Sequence, residues 1–154
     1  MKLSRQISGI AGEYYVAAEL SRRGYIAAIT LRNSDNVDIL VSNQNGEKTI
    51  SVQVKTTQNK RKWILSKKVE KDIVLNKFYV FVNIPIEEGL PPEYYITKAN
   101  DLATWIYAGH RKWLNEPGTK GQKRNDSNVR QFDPGNFPKE KLYSWENLIS
   151  YFED

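Results

Sequence analysis

Three side chains whose types suit phosphate chemistry are brought together by the predicted pairing of two strands on either side of Asn45-Gly46. This dipeptide favours a two-residue type I′ hairpin turn, and a turn centred there sets position 38 opposite position 53. Side chains alternate along a strand, so Gln53 and Lys55 share one face. Asp38 then faces Gln53, with their Cβ atoms roughly 5 Å apart. A carboxylate, an amide oxygen and an ammonium group converge, which is the outline of a metal and phosphate site.

A helix that precedes these strands carries a further acidic candidate. Apolar residues from 7 to 23 recur at helical spacing, and Gly24 follows at the position of a C-terminal cap. Glu13 lies on a partly apolar flank of this predicted helix, where a carboxylate needs a partner because a buried unpaired charge is costly. Glu19 has Arg23 four residues later, which is typical of an exposed ion pair. We therefore assign Glu13, and not Glu19, to the candidate site.

The rest of the chain is predicted to contain strands, one long loop and two more helices. The predicted strands span residues 25–31, 37–41, 50–55, 62–66, 78–83 and 94–97. Apolar residues between 102 and 113 mark a second helix, and Ser144 caps a closing helix at about 144–153. Residues 118–141 are rich in Gly, Asn, Asp, Pro and Lys, which predicts a long basic loop.

Size and composition indicate one α/β domain. The chain has 154 residues with 40% hydrophobic content, enough for one core and too few for two comfortable ones. It has no cysteine, which excludes disulfides and thiolate metal sites. Its first residues lack the apolar segment of a signal peptide, and no apolar run is long enough to span a membrane. We expect a soluble, cytoplasmic protein without a membrane partner.

Positive charge is concentrated directly after the candidate site. The formal net charge is +5, and residues 55–71 contain seven basic side chains and one acidic side chain. Such a segment can neutralise phosphates, and this predicts binding to nucleic acid; a solvated exposed loop is the alternative. The residues expected to contact nucleic acid are Lys60, Arg61, Lys62, Lys67 and Lys68.

The order of these features resembles the PD-(D/E)XK nuclease superfamily, and within it the Holliday-junction resolvases and the Mrr-like restriction endonuclease domains. The resemblance is carried by Gly12-Glu13, by VDILV at 37–41 and by VQVKTT at 52–57. It implies a single restriction-endonuclease-like domain over residues 1–154, with an α-β-β-β-α-β core and a mixed central sheet flanked by helices. Gln53 stands where Glu is commoner in the family, and Val37 stands where proline is usual.

The resemblance also implies the chemistry of a metal-dependent endonuclease, a hydrolase that cuts phosphodiester bonds in nucleic acid, with DNA favoured over RNA as the substrate. Asp38 would be the central ligand of Mg²⁺ or Mn²⁺, Gln53 would offer its amide oxygen, and Glu13 would complete the shell. Lys55 would orient the attacking water and stabilise charge on the phosphate oxygens. An amide lacks the charge of a carboxylate, so Gln53 predicts weak metal binding. Superfamily members of this size often act as dimers, which makes a homodimer one expected state.

Two alternatives to an active DNA endonuclease stay open. Gln53 also suits a catalytically weakened protein of the nuclease fold that binds nucleic acid without cutting it. The chain would equally suit a subunit of a larger nuclease or defence complex. A catalytic triad through His110, the only histidine, is disfavoured because no G-x-S-x-G motif accompanies it.

Overall fold

The structure, a computed structural model, describes residues 1–31 and 36–152. The helices are α1 (Arg5–Ser21), α2 (Ala99–Asn115) and α3 (Trp145–Ser150). The strands are β1 (Ile26–Ile29), β2 (Ile39–Ser42), β3 (Thr49–Gln58), β4 (Trp63–Ser66), β5 (Lys77–Ile84), β6 (Glu93–Lys98) and β7 (Val129–Phe132). Short 3-10 helices lie at Lys67–Lys71 and Lys139–Lys141. None of the helices in these ranges is long and apolar enough to cross a membrane.

A five-stranded mixed sheet forms the centre of the fold, in the order β1-β2-β3-β5-β6. The first three strands are antiparallel, β5 runs parallel to β3, and β6 returns antiparallel to β5. The strands β4 and β7 form a separate antiparallel pair. The predicted mixed central sheet flanked by helices is confirmed.

The connection between the parallel strands β3 and β5 is built differently from the expected α-helical crossover. It consists of β4 and the 3-10 helix Lys67–Lys71. The β4–β7 pair covers this face of the sheet, with Trp63 and Phe132 buried against Phe81. The rings of Phe81 and Phe132 stack with their centroids 3.9 Å apart. Two short strands, supported by α2, therefore cover a surface that the expected core assigns to a helix.

Residues 118–141 are not a loop throughout, as the sequence pattern predicted, because they contain β7. Its burial alternates, with Arg130 and Phe132 buried while Val129 and Gln131 are exposed. The buried Arg130 forms an ion pair with Glu70. A charged residue at an inward position interrupts the apolar alternation by which strands are identified. The signal for this four-residue strand was therefore lost among polar neighbours.

The hairpin formed by β2 and β3 has the predicted register. Ile39 pairs with Val52, and the backbone nitrogen of Asp38 donates to the carbonyl of Val52 at 3.0 Å. Position 38 therefore lies opposite position 53. Because the side-chain period of a strand is two, this register decides which residues meet Asp38.

The turn of this hairpin differs from the predicted type I′ turn. Gly46 has a φ of +73°, but Asn45 is not among the residues with positive φ. A type I′ turn requires positive φ at both of its central residues. The loop spans 43–48, and Asn43 Oδ1 accepts hydrogen bonds from the backbone of Glu47 at 2.9 Å and of Lys48 at 3.2 Å. This longer loop has the same centre as the predicted turn, so the register is unchanged.

The helix α1 packs against the other face of the sheet and approaches β3 most closely at Gly12. The buried residues of α1 are Ser8, Gly12, Val16 and Leu20, each four positions from the last. A Cβ atom on Gly12 would lie 1.9 Å from Thr56 Oγ1, so no side chain fits there. This close approach sets the position of the following residue, Glu13.

Gly12→Ala should lower the free energy of unfolding by about 1–3 kcal/mol, because the added methyl group overpacks the contact with Thr56. Gly9→Ala is the matched control on the same helix, since its Cβ would meet no atom within 4 Å. Alanine at that position should stabilise the protein by about 1 kcal/mol through helix propensity. Chemical denaturation of both variants measures the difference, and equal stabilities would contradict the packing role of Gly12.

Candidate functional site

Asp38 directly precedes β2, and its backbone and side chain are both held in place. Its nitrogen donates to Val52 at 3.0 Å, and its carbonyl accepts from the nitrogen of Thr30 at 2.9 Å. Its carboxylate oxygen Oδ2 accepts from Gln53 Nε2 at 2.5 Å and from the backbone nitrogen of Val54 at 2.7 Å. The carboxylate is therefore fixed by β3, and the backbone of Asp38 by β3 on one side and by the residue after β1 on the other.

The contact between Asp38 and Gln53 determines which of their atoms remain for a cation. Within residues 1–31 and 36–152, the hydrogen bonds of this pair use Oδ2 and Nε2. The other two polar atoms, Asp38 Oδ1 and Gln53 Oε1, are both oxygens. Carboxylate and amide oxygens are ligands that hard divalent cations accept. The pair can thus offer two ligand atoms while its internal hydrogen bond stays intact.

Electrostatics at Asp38 also favour a positive ion. Burial raises the pKa of Asp38, and it outweighs the lowering effects of the Val54 hydrogen bond and of the charges on Lys55 and Lys77. A buried carboxylate is destabilised in its charged form, and a nearby cation relieves that penalty. The site thus favours a neighbouring cation more than a fully hydrated carboxylate would.

Glu13 and Asp38 line the same cavity. This cavity has a volume of about 310 Å³ and is lined also by Thr30 and by residues from the first turns of α1. In the described part of the chain, no group of three or more His, Cys, Asp or Glu side chains is placed to hold a metal ion. Two of the three predicted metal ligands, Glu13 and Asp38, line this cavity, while Gln53 contacts Asp38 from outside the lining. Carboxylate and amide oxygens are donors that fit Mg²⁺ or Mn²⁺, and so few charged ligands hold such an ion weakly.

Gln53 and Lys55 face a second and larger space, which we call the basic cleft. It has a volume of about 770 Å³ and lies on the face of the sheet that carries the β4–β7 pair. Its charged lining consists of the four lysines Lys55, Lys68, Lys71 and Lys77 and the carboxylate of Asp72. The excess of cations suits a bound anion. The candidate residues are thus divided between two cavities, which the contact of Asp38 with Gln53 joins.

Three residues of the basic cleft were missed by the sequence analysis. Lys77 is 3% exposed and places Nζ 2.5 Å from Asp72 Oδ2, while the hydroxyl of Tyr79 donates to the same oxygen at 2.7 Å. Burial and the Asp72 hydrogen bond raise the pKa of Tyr79 far above its usual range, so it stays a neutral donor. Tyr79 lies beside Gln53 on the neighbouring strand. Side chains alternate along β5, so Lys77 and Tyr79 lie on one face. Every residue of this strand is buried, so its sequence shows no alternation of polar and apolar residues that would distinguish that face.

The basic residues predicted to contact nucleic acid occupy different environments. Lys68 lines the basic cleft, and Lys60 is exposed outside its lining. The other three form ion pairs, namely Arg61–Glu93 at 3.0 Å, Lys62–Asp133 at 3.5 Å and Lys67–Asp126 at 2.8 Å. Exposed pairs of this kind contribute little to stability, so phosphates can replace the acidic partners at small cost.

His110 takes part in an ionic network and lines neither cavity. Its Nε2 lies 2.7 Å from Asp126 Oδ1, and the same carboxylate contacts Lys67 at 2.8 Å and Arg130 at 3.3 Å. Arg130 also pairs with Glu70. These contacts tie α2 and β7 to the 3-10 helix that carries two lysines of the basic cleft. The network positions a wall of the cleft and does not include Asp38.

Comparison with solved structures finds a distant structural likeness. No protein-family model matches the chain, and no curated protein matches it. The fold is similar to that of Hjc, a Holliday junction resolvase from Archaeoglobus fulgidus, with 14% identity, 84% of this chain and 87% of that chain covered, and a TM-score of 0.48. This is one of the kinds of protein that the sequence resembles.

Gln53→Glu should tighten Mg²⁺ binding by about tenfold, because it adds a charged ligand. Without metal, the new carboxylate would replace the hydrogen-bond donor to Asp38 and repel it, so the melting temperature should fall. Added Mg²⁺ should then raise the melting temperature of the variant more than that of the wild type. Gln131→Glu makes the same change at an exposed position of β7 and controls for net charge. Equal responses to Mg²⁺ in all three proteins would contradict a metal site at Gln53.

Proposed function

We propose that the protein is a metal-dependent nuclease that hydrolyses phosphodiester bonds in DNA, with Asp38 at the centre of its site. The observation that supports this proposal is the position of the Asp38 carboxylate. It is bonded to Gln53 and lies between a cavity that contains Glu13 and a cleft lined by four lysines. Acidic metal ligands beside a cationic phosphate cleft are what this hydrolysis requires.

Each residue of the site has a distinct role in the proposal. Asp38, Glu13 and the amide oxygen of Gln53 would hold Mg²⁺ or Mn²⁺. A bound ion of this kind supplies Lewis acidity at the phosphate and lowers the pKa of an attacking water. Lys55, on the same strand face as Gln53, orients that water and stabilises charge that develops on the phosphate oxygens. Lys68 binds a flanking phosphate from the rim of the cleft.

Exposed cations extend the proposed DNA-binding surface beyond the cleft. Lys60 is exposed at the end of β3, and the nearby basic residues exchange their acidic partners for phosphates. These residues are Arg61, Lys62 and Lys67. A homodimer would align two such sites on the two strands of a DNA substrate, and this state remains part of the proposal.

A second candidate function is nucleic-acid binding without hydrolysis, alone or as a subunit of a larger complex. It is favoured by the amide at position 53 and by the fact that the described ranges contain no cluster of three metal-binding side chains of the His, Cys, Asp or Glu type. Fewer charged ligands mean weaker metal binding. The basic cleft does not depend on a metal ion, so this candidate keeps the same surface.

Asp38→Asn and Lys55→Ala should each reduce DNA cleavage by about a hundredfold or more, because each removes a charge that acts at the reacting phosphate. Asp38→Asn keeps an acceptor oxygen for Gln53 and Val54, so the fold is preserved. The assay measures cleavage of supercoiled plasmid, a four-way junction and single-stranded DNA in millimolar Mg²⁺ or Mn²⁺. Lys139→Ala removes an exposed charge outside both cavities and should cleave like the wild type.

Cleavage that persists in either site variant, with circular dichroism unchanged, would contradict these roles. If the wild type cuts nothing with either metal but binds DNA in a salt-dependent way, the binding protein is the correct alternative.

A further inference from the structure

The segment that leads from the 3-10 helix into β5 carries three consecutive exposed apolar side chains beside the basic cleft. Ile73, Val74 and Leu75 are 68%, 48% and 74% exposed. Val74 lines the cleft together with Ile64, which projects from β4 and is 67% exposed. Large apolar side chains grouped in water mark a contact surface. Val74 and Ile64 connect this surface with whatever occupies the cleft.

Both ends of this apolar segment are fixed to the sheet. At its start, Asp72 accepts hydrogen bonds from Lys77 Nζ at 2.5 Å and from the Tyr79 hydroxyl at 2.7 Å. At its end, the carbonyl of Asn76 accepts from the nitrogen of Ser51 at 3.0 Å. Anchors on β3 and β5 therefore hold the backbone of this segment at the edge of the cleft, with Val74 in the cleft lining.

The chemistry of the cleft selects one kind of partner for these tips. Four lysines attract a polyanion, whereas an apolar protein surface would gain nothing from them. A nucleic acid combines phosphates with apolar base faces. In a continuous duplex the base faces are covered by stacking, and apolar side chains reach them only where the stack is opened. Unpaired bases cost the least free energy to unstack.

On the basis of the nucleic-acid cleft proposed above, we infer that Ile73, Val74 and Leu75 form an apolar wedge against unstacked bases. The lysines hold the phosphates of the bound strand, and the wedge contacts its bases. The protein therefore prefers nucleic acid with unpaired bases to a continuous duplex of the same sequence. The wedge distinguishes unpaired from paired bases and does not distinguish sequences, because apolar contacts with base faces do not recognise the donors and acceptors on base edges.

The test compares the binding of a single-stranded oligonucleotide and of its duplex to the full chain in EDTA, by fluorescence anisotropy. In the double variant Val74→Ser/Leu75→Ser, affinity for the single strand should fall about tenfold, as expected for lost burial of two apolar side chains. Affinity for the duplex should stay within about twofold, and the salt dependence should not change because the lysines remain. A 2-aminopurine base in the single strand should brighten with the wild type and not with the variant.

Two control variants separate the wedge from general effects. Leu90→Ser alters a side chain that is 53% exposed and lines neither cavity, so it should bind like the wild type. Lys68→Ala should weaken both complexes and reduce the salt dependence. Circular dichroism checks that each variant is folded.

The outcomes separate the wedge from hydrolysis. Equal losses for the two forms, or an unchanged ratio of affinities, would overturn the wedge while metal-dependent cleavage by the wild type keeps the proposed nuclease. Loss of the preference in the double variant supports the wedge, even if the wild type cuts nothing. If the wild type binds neither form, the wedge and the proposed role of the cleft both fail.

Discussion

The geometry of the site depends on one contact, the hydrogen bond that Gln53 donates to Asp38 across β2 and β3. It holds the carboxylate at the boundary between the cavity of Glu13 and the basic cleft. The backbone nitrogen of Val54 adds a second bond to the same oxygen. Because both donors belong to β3, a slip of one residue in the hairpin would remove the side-chain donor from this face. The position of the Asp38 carboxylate therefore depends directly on the register of β2 and β3.

The sequence was sufficient to predict this register and insufficient to predict the turn that produces it. Asn45-Gly46 marks the centre of the hairpin, and a loop of any even length about that centre pairs position 38 with 53. The side chain of Asn43 stabilises the longer loop through two hydrogen bonds. The turn preference of the Asn45-Gly46 dipeptide takes no account of these bonds. The alternation of apolar residues likewise indicates the sheet, but it fails at β7, where Arg130 is buried with its partner Glu70.

The parts of the site that sequence reasoning missed are those fixed by how the chain turns and folds back, and not by a regular spacing along one helix or strand. Asp72 meets Lys77 and Tyr79 only because the chain turns back into β5. The same limit applies to the charges of segment 60–67, since each acidic partner of Arg61, Lys62 and Lys67 lies far along the chain. A count of charges predicts a cationic segment, but it does not predict which cations remain unpaired. That depends on tertiary structure.

The pairing of Trp63 with Phe132 links the order of synthesis to the completion of the cleft. The five strands of the main sheet and the residues of the Asp38 site are all encoded before position 99. Phe81 is not fully covered until β7 has been synthesised and has paired with β4. This pairing closes the long chain segment between the two strands into a loop. Closing such a segment is entropically costly before its contacts form. A nascent chain would thus place Glu13 and Asp38 early, while the wall of the basic cleft that carries Lys68 and Lys71 is fixed in place last.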